Sequence, residues 1–241
     1  MSNNFAIIPA RSGSKGVKNK NIKDFGGYPL LAWTINICKK CKSIDRIFLS
    51  TDSEEYADIG KFYGAEVPFI RPNNIAGDKS TDLEFINHFI DWLDSNRLKC
   101  RNILHMRPTT PLRDPKIIED ALISFEKSDS TSALRSVHKM SESAYKTFEI
   151  SGNGFLQCVG SKSALLDESN KARQQFPETY FANGYVDVLS YDFIKNNQLL
   201  HGRKVMPFFT ECAYEVDTPD DFEFLEFILS KNPSLIKFVF S

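Results

Sequence analysis

The sequence predicts a three-layer α/β fold with a mostly parallel sheet, and two observations support this class. Short apolar runs rich in Ile and Phe alternate with amphipathic helical patterns through the first half of the chain, which is typical of βαβ units. The 241 residues contain no internal repeat and no low-complexity linker. We therefore expect one large domain over residues 1–241.

The first half alternates strands and helices. Its first apolar run, at 5–9, is unbroken, as expected for a strand buried on both faces. Thr81 with Glu84 forms a capping box, and Asp114 before Pro115 gives an N-cap followed by proline in the first turn, so each pair marks a helix start. In chain order, we expect strands at 5–9, 46–50, 67–70 and 102–106, and helices at 29–41, 54–63, 81–94 and from 114 onward.

The pattern changes in the second half. After a strand at 132–137, residues 139–180 form short, polar, strand-like pieces with turn signals, which predict a projecting hairpin arm. Such an arm would carry a dimer contact or cover a substrate. The sheet is expected to resume at 184–190 and 204–208, and Thr218 before Pro219 opens a final helix.

Composition excludes several classes of protein. Thirty Lys and Arg against 31 Asp and Glu leave a net charge of -1, so no global field attracts nucleic acid. No apolar run approaches the roughly 20 residues that span a bilayer, so we expect no membrane association. Five cysteines are an odd number, which favours reduced thiols over a disulfide framework and predicts a cytoplasmic protein.

The loop after the first strand carries the clearest chemical signal. Between residues 11 and 20 it contains two glycines and the four cations Arg11, Lys15, Lys18 and Lys20. Such a loop lies at the usual ligand crevice of an α/β sheet, where backbone N–H groups and cations can hold phosphates. It contains neither the GxxxxGK pattern of a P-loop nor a GxGxxG pattern, which excludes the two common nucleotide loops.

A pair of acidic residues predicts a metal site. Glu215 and Asp217 lie two positions apart in an extended segment, so both carboxylates point to the same face. Mg²⁺ favours one or two carboxylates together with phosphate oxygens. We therefore expect Mg²⁺ or Mn²⁺ at this pair.

Residues 11–16, with Lys20 and Asn21 downstream, resemble the signature of the N-acylneuraminate cytidylyltransferase family, whose members make CMP-activated nonulosonic acids. The resemblance implies a Rossmann-like nucleotide-diphosphosugar transferase fold and a homodimer that uses the hairpin arm. Further motifs follow in the family's order at 29–31, 50–52, 64–68, 71–72, 107–113, 145–146, 173–175, 183–184 and 215–218.

The activity implied by the resemblance is transfer of CMP from CTP to the anomeric hydroxyl of a nonulosonic acid, with release of pyrophosphate. The acceptor would be legionaminic, pseudaminic or N-acetylneuraminic acid. A Kdo-type enzyme that uses an eight-carbon acid is one alternative, against which the segment at 173–175 argues. A non-catalytic nucleotide-binding subunit is another, and the presence of Lys15 and the acidic pair argues against it.

The resemblance also assigns roles to residues. Arg11, Lys15 and Asp217 would be catalytic, and Asp217 with Glu215 would hold the metal ion. The implied nucleotide site consists of Ala10, Arg11, Ser14, Lys15, Asn21, Arg71, Ser80, Pro108 and Thr109. The implied sugar site consists of Arg107, Lys146, Arg173, Gln174, Gln175, Asn183 and Asp187.

The sequence departs from the sialic acid enzymes at the sugar site. Arg107 stands where those enzymes have glutamine, Ala182 where a basic residue is common, and Asp187 where a tyrosine is common. A changed sugar site beside an unchanged nucleotide site favours legionaminic or pseudaminic acid and leaves N-acetylneuraminate open. Glu215 replaces the family's usual aspartate and is one methylene longer, so Asp217 is the more direct metal ligand and Glu215 would act through water.

Overall fold

The computed structural model describes residues 3–160 and 165–241. Its main sheet has six strands in the order β10-β6-β9-β5-β1-β4. The strands are β1 (Asn4–Pro9), β4 (Arg46–Ser50), β5 (Asn102–His105), β6 (Ala133–Lys139), β9 (Tyr180–Ser190) and β10 (Val205–Phe209). β1 pairs in parallel with β4 and β5, β6 pairs in parallel with β10, and β9 is antiparallel to both neighbours. The predicted α/β class is confirmed.

Helices cover both faces of this sheet. The seven described helices are α1 (Leu30–Lys40), α2 (Glu54–Tyr63), α3 (Asp82–Ser95), α4 (Pro115–Glu126), α5 (Tyr191–Asn197), α6 (Pro219–Lys231) and α7 (Ser234–Phe240). Neighbouring residues of one strand point to opposite faces: Leu104 joins a buried cluster with Trp33 of α1, whereas Ile103 joins a second cluster with Phe89 of α3. The sheet is therefore the middle of three layers.

Most predicted elements form near their expected positions, and one does not. The capping signals at Thr81, Asp114 and Thr218 each begin a helix. The prediction of a strand at 67–70 is wrong, because the only pairing here is a single parallel bridge from the preceding Glu66 to Phe48. Pro68 has no N–H to continue such a ladder. The short helices α5 and α7 and the start of β9 at Tyr180 were not predicted.

The segment between β6 and β9 contains the predicted hairpin. Its strands are β7 (Phe148–Ile150) and β8 (Leu156–Cys158), which pair antiparallel. Short 3-10 helices lie at Ala144–Lys146, Leu166–Asn170 and Arg173–Gln175. Residues 161–164 of the predicted arm lie outside the described residues. The arm's role in dimerisation stays a prediction.

Two further strands, β2 (Asp24–Phe25) and β3 (Tyr28–Pro29), form a small antiparallel ladder before α1. Within residues 3–160 and 165–241, no helix combines the length and the apolar character that crossing a membrane requires.

Candidate functional site

A cleft of about 470 Å³ opens at the carboxyl ends of β1, β4 and β5. This is where open α/β sheets bind ligands, because loops from neighbouring parallel strands converge there. Of the residues with predicted roles, the cleft is lined by Arg11, Ser14, Lys15, Asn21, Arg71, Ser80, Arg107, Pro108, Thr109 and Asp217. Ala10 lies between the lining residues Pro9 and Arg11, but it is fully buried and does not itself line the cleft.

The glycine-rich loop after β1 is held by side chains at its base. The Asn21 amide donates to the Arg11 carbonyl at 3.0 Å, and Ser12 donates from its backbone N–H and its hydroxyl to Asp52 at 2.6 and 2.8 Å. A Cβ on Gly16 would lie 2.3 Å from the Asp217 carbonyl oxygen. Glycine is thus required where the loop contacts the segment before α6.

Two of the four cations of this loop, Arg11 and Lys15, share one carboxylate. Arg11 Nη1 lies 3.0 Å from Asp78 Oδ1, and Lys15 Nζ lies 2.5 Å from Asp78 Oδ2. Hydrogen bonds from Lys15 and Arg11 hold the pKa of Asp78 below its ordinary value. Asp78 is a cleft residue that the sequence did not single out.

Arg71 is fixed at the carboxyl end of β4. Its Nε donates to the Ser50 hydroxyl at 2.9 Å and its Nη2 to the Ser50 carbonyl at 2.7 Å. Its guanidinium stacks over the Phe85 ring at 4.7 Å. Burial lowers the pKa of Arg71 to about 10, so this buried side chain still brings a positive charge to the cleft at neutral pH.

Arg107 bridges two carboxylates. Its Nη2 lies 2.8 Å from Asp82 Oδ2, and its Nη1 lies 3.1 Å from Asp187 Oδ2. Asp187 is fully buried and also lies near Arg135 and His201, at 3.7 and 3.8 Å. The structure thus places Arg107 at the cleft and Asp187 behind it, outside the cleft lining.

The electrostatics of this network keep both acids ionised. Burial works to raise the pKa of Asp187, but the contact with His201 and the charge of Arg107 lower that pKa to about 2. Burial likewise opposes ionisation of Asp82, whose pKa is nevertheless lowered by His105 and Arg107. Burial, together with the charge of Arg107, lowers the pKa of His105 to about 3. His105 is therefore neutral at pH 7, and Arg107 is the cation that contacts both acids.

Glu215 and Asp217, the predicted acidic pair, lie in different surroundings. Asp217 lies at the cleft with an exposed carboxylate, 3.0 Å from Lys20 Nζ. Glu215 lies outside the lining, with Oε1 3.4 Å from the Thr110 hydroxyl. A Cβ on Gly184 would come within 1.9 Å of the same Glu215 oxygen, so glycine at 184 makes room for this carboxylate.

No set of three or more His, Cys, Asp or Glu side chains in the described part of the chain is arranged to hold a metal ion. The donor chemistry of Asp217 nevertheless fits Mg²⁺, which commonly takes one or two protein carboxylates and completes its shell with phosphate oxygens and water.

A sequence model of the cytidylyltransferase family matches residues 5–218. The match extends from β1 to the start of α6 and includes every residue named above for the cleft. The chain belongs to the cytidylyltransferase family. The cleft at the carboxyl ends of the strands therefore lies within the part of the chain that matches the family model.

Named relatives agree with this membership. The cytidylyltransferase is 29% identical over 220 residues to an N-acylneuraminate cytidylyltransferase of Escherichia coli, covering 90% of this chain and 50% of that protein. It is 29% identical over 233 residues to a CMP-N,N'-diacetyllegionaminic acid synthase of Campylobacter jejuni, covering 95% and 96% of the two chains. The resemblance to N-acylneuraminate cytidylyltransferases inferred from the motifs is confirmed.

A solved structure shares the fold. A CMP:2-keto-3-deoxy-manno-octonic acid synthetase in complex with CTP superposes with a TM-score of 0.69 and 14% sequence identity, covering 95% of this chain and 99% of that one. At this identity the likeness concerns the fold of the cytidylyltransferase.

The remaining predicted sugar residues lie away from the cleft. Arg173 and Gln174 line a second cavity of about 470 Å³ at the base of the arm, and Arg173 Nη2 donates to the Met140 carbonyl at 2.7 Å. Lys146 Nζ lies 5.8 Å from the centre of the Phe176 ring. Gln175 shares the short 3-10 helix of Arg173. Within the described residues, this group is separate from the cleft lining.

Asn183 has its own partners. This buried side chain donates to the Thr210 hydroxyl at 2.7 Å, so it joins the start of β9 to the end of β10.

Sequence reasoning missed Asp78 and Asp82 at the cleft. Asp78 lies in the segment between the Arg71 motif and Thr81, which reads equally well as a solvated turn, and Asp82 is the first residue of α3.

Proposed function

We propose that this cytidylyltransferase transfers CMP from CTP to the anomeric hydroxyl of a nonulosonic acid and releases pyrophosphate. The observation that carries the proposal is the shared cleft of Arg11, Lys15 and Arg71. Two cations on a glycine-rich loop suit a triphosphate, and a fixed guanidinium offers donors to the acceptor atoms of a cytosine ring. Family membership supplies the reaction class.

The reaction we propose is an in-line displacement at the α-phosphorus. The anomeric oxygen forms a bond to this phosphorus while the bond to the bridging oxygen of the β-phosphate breaks, and pyrophosphate leaves with the electron pair. Arg11 and Lys15 stabilise the charge that develops on the phosphate oxygens. Asp217 is the candidate acceptor for the hydroxyl proton, because its carboxylate lines the cleft and is exposed.

We propose Mg²⁺ or Mn²⁺ as the cofactor. Asp217 would hold the ion directly, and Glu215 would act through water, since it lies outside the cleft lining. When bound, such an ion neutralises phosphate charge. Lys20 Nζ lies 3.0 Å from Asp217 Oδ1 and orients this carboxylate. The Asp217 side chain is 71% exposed, so a ligand can reach its carboxylate.

The acceptor we favour is legionaminic or pseudaminic acid, with N-acetylneuraminic acid as a further candidate. The near full-length relative that makes a CMP-legionaminic acid supports this class. A second support is the ion pair between Arg107 and Asp187, which occupies two positions where the sialic acid pattern has neutral residues. The Kdo-type alternative has the structural neighbour alone in its favour, and that neighbour shares 14% of its residues.

We also propose a homodimer formed through the arm. Large apolar side chains stand exposed along the hairpin and beside it, and burying them against a second copy would stabilise a pair of chains. The exposed side chains are Phe148, Ile150, Phe155, Leu156, Val159 and Leu165.

All five cysteines lie in the described residues and are free, which supports a reducing, cytoplasmic setting.

The test is pyrophosphate release from CTP across a panel of pseudaminic, legionaminic, N-acetylneuraminic and Kdo acids, with mass spectrometry of the nucleotide sugar. We expect turnover with a nine-carbon acid and loss of turnover in Lys15→Ala. Lys61→Ala is a matched control, because Lys61 pairs with Asp58 on α2 and does not line the cleft. Turnover with Kdo alone would contradict the nine-carbon assignment, and turnover with no acid would contradict the proposed reaction.

A further inference from the structure

The Asp78 carboxylate forms ion pairs with Arg11 and Lys15, the two cations that the proposed function assigns to the triphosphate. Each of its carboxylate oxygens contacts a different cation, Oδ1 facing Arg11 and Oδ2 facing Lys15. A phosphate group presents the same arrangement, because two oxygens on one phosphorus can each pair with a different cation. The carboxylate therefore stands where a phosphate of the nucleotide would bind.

We propose that Asp78 is an internal counter-ion that holds Arg11 and Lys15 in the empty cleft, is displaced by the phosphates of CTP, and returns as pyrophosphate leaves. This inference rests on the proposed function. A carboxylate that competes for the same cations weakens CTP binding, and it also weakens pyrophosphate binding. Asp78 thereby favours release of the product at the expense of affinity for the substrate.

The turn that carries Asp78 can move without unfolding its neighbours. The Gly77 N–H donates to the Ser80 hydroxyl at 3.0 Å, and the Ser80 N–H donates to the Gly77 carbonyl at 3.1 Å. These bonds close a compact turn around Asp78. The next residue, Thr81, is anchored by its capping box with Glu84 at the start of α3, which confines displacement to residues 77–80.

Displacement of Asp78 also reaches the nucleoside end of the cleft. Ser80 belongs to the same hydrogen-bonded turn and lines the same cleft as Arg71. Moving the carboxylate away from the cations therefore shifts the Ser80 hydroxyl. Phosphate binding and cytidine binding are therefore coupled through this turn. Because the phosphates alone compete with Asp78 for Arg11 and Lys15, a phosphate chain without a nucleoside should also displace its carboxylate.

Contribution to folding is a poor explanation for these ion pairs. The side chains of Lys15 and Asp78 are 81% and 40% exposed, and exposed ion pairs add little to stability. The low pKa of Asp78 means that its carboxylate is charged throughout the neutral range. Removing this charge should change ligand affinity and leave folding largely unaltered.

The experiment compares Asp78→Asn with wild type by calorimetry, using CTP, pyrophosphate and inorganic tripolyphosphate, each with Mg²⁺ and with a chelator. We expect the variant to bind all three about three- to tenfold more tightly, the range that corresponds to one or two exposed ion pairs. In turnover, KM for CTP and the inhibition constant for pyrophosphate should both fall while kcat does not rise. Asp78→Glu should restore most of the wild-type affinity.

Asp58→Asn is the matched control, since Asp58 is an exposed acid paired with Lys61 outside the cleft. Its affinities should equal those of wild type. Equal affinities in Asp78→Asn and wild type would overturn the counter-ion, as would weaker binding seen only with Mg²⁺, which would make Asp78 a metal ligand. Tighter tripolyphosphate binding by the variant, with no CTP binding by either protein, would support the counter-ion and refute the proposed function.

Discussion

Arg107 and Asp187 stand 80 positions apart in the sequence and meet in one ion pair, with Nη1 3.1 Å from Oδ2. Arg107 lines the cleft, and Asp187 lies behind it. The ion pair therefore joins the cleft surface to a carboxylate on β9. Because Asp187 is fully buried, neither member can be altered without consequence for the other.

The first prediction concerns this pair. Arg107→Gln leaves Asp187 without its closest cation and should lower the free energy of unfolding by about 3 kcal/mol. The double variant Arg107→Gln with Asp187→Asn should recover part of this loss, since the uncompensated charge is removed. Urea unfolding of the wild type, both single variants and the double variant forms a thermodynamic cycle. Strictly additive losses would show that the two residues do not stabilise each other.

The second prediction concerns the nucleotide. CTP should be preferred over UTP, ATP and GTP by at least about tenfold in kcat/KM, because losing a paired contact to a base edge costs about 1–3 kcal/mol. Arg71→Lys keeps the charge but loses the fork that Ser50 fixes, so it should reduce this preference. Competition assays with paired nucleotides measure it directly, and equal use of UTP by wild type would refute a cytidine site.

The third prediction concerns the metal ion. Asp217→Ala should abolish most Mg²⁺-dependent turnover, whereas Glu215→Ala should be milder and partly rescued by raised Mg²⁺, because Glu215 lies outside the cleft lining. Turnover is measured over a Mg²⁺ titration for both variants. Asp220→Ala, just inside α6, serves as the control. Normal turnover of Asp217→Ala at limiting Mg²⁺ would place the ion elsewhere.

The fourth prediction concerns pH. The pKa of His105 is lowered to about 3 in the folded protein, so below pH 6.5 the unfolded chain binds a proton that the folded chain does not. Stability from this group is present above pH 6.5 and is lost as the pH falls, by about 2 kcal/mol at pH 5. Urea unfolding at pH 7.5 and 5 should show a smaller loss in His105→Gln. The same loss in variant and wild type would assign the effect to other groups.

The fifth prediction concerns assembly. Phe155→Asp places a charge on the exposed surface of the arm, where this side chain is 71% exposed, and should convert the proposed dimer to single chains of 27.5 kDa. Phe62→Asp is a matched control, because Phe62 is 82% exposed on α2, away from the arm. Light scattering at micromolar concentration distinguishes the two. A fully active wild-type protein with the mass of one chain would refute the dimer.

Sequence reasoning succeeded where a signal was local. The glycine-rich loop after β1 places its glycines and cations within a few positions of Arg11, and the helix starts carry their own caps, as at Thr81. The network around Arg107 left no such trace, because its members come from three distant elements and meet only in the folded sheet. The apolar run at 67–70 predicts a strand that does not form, because Pro68 has no N–H to continue a ladder.

The contact between the glycine-rich loop and the segment before α6 affects when the protein becomes functional during its synthesis. Lys20 and Asp217 are 197 positions apart, and the Gly16 backbone packs directly on the Asp217 carbonyl. A ribosome that has completed β1 to β10 has made the loop but not the residues that support it. The cleft therefore lacks one of its lining residues until Asp217 has been made, and a fragment that stops before Val216 should bind nucleotide more weakly.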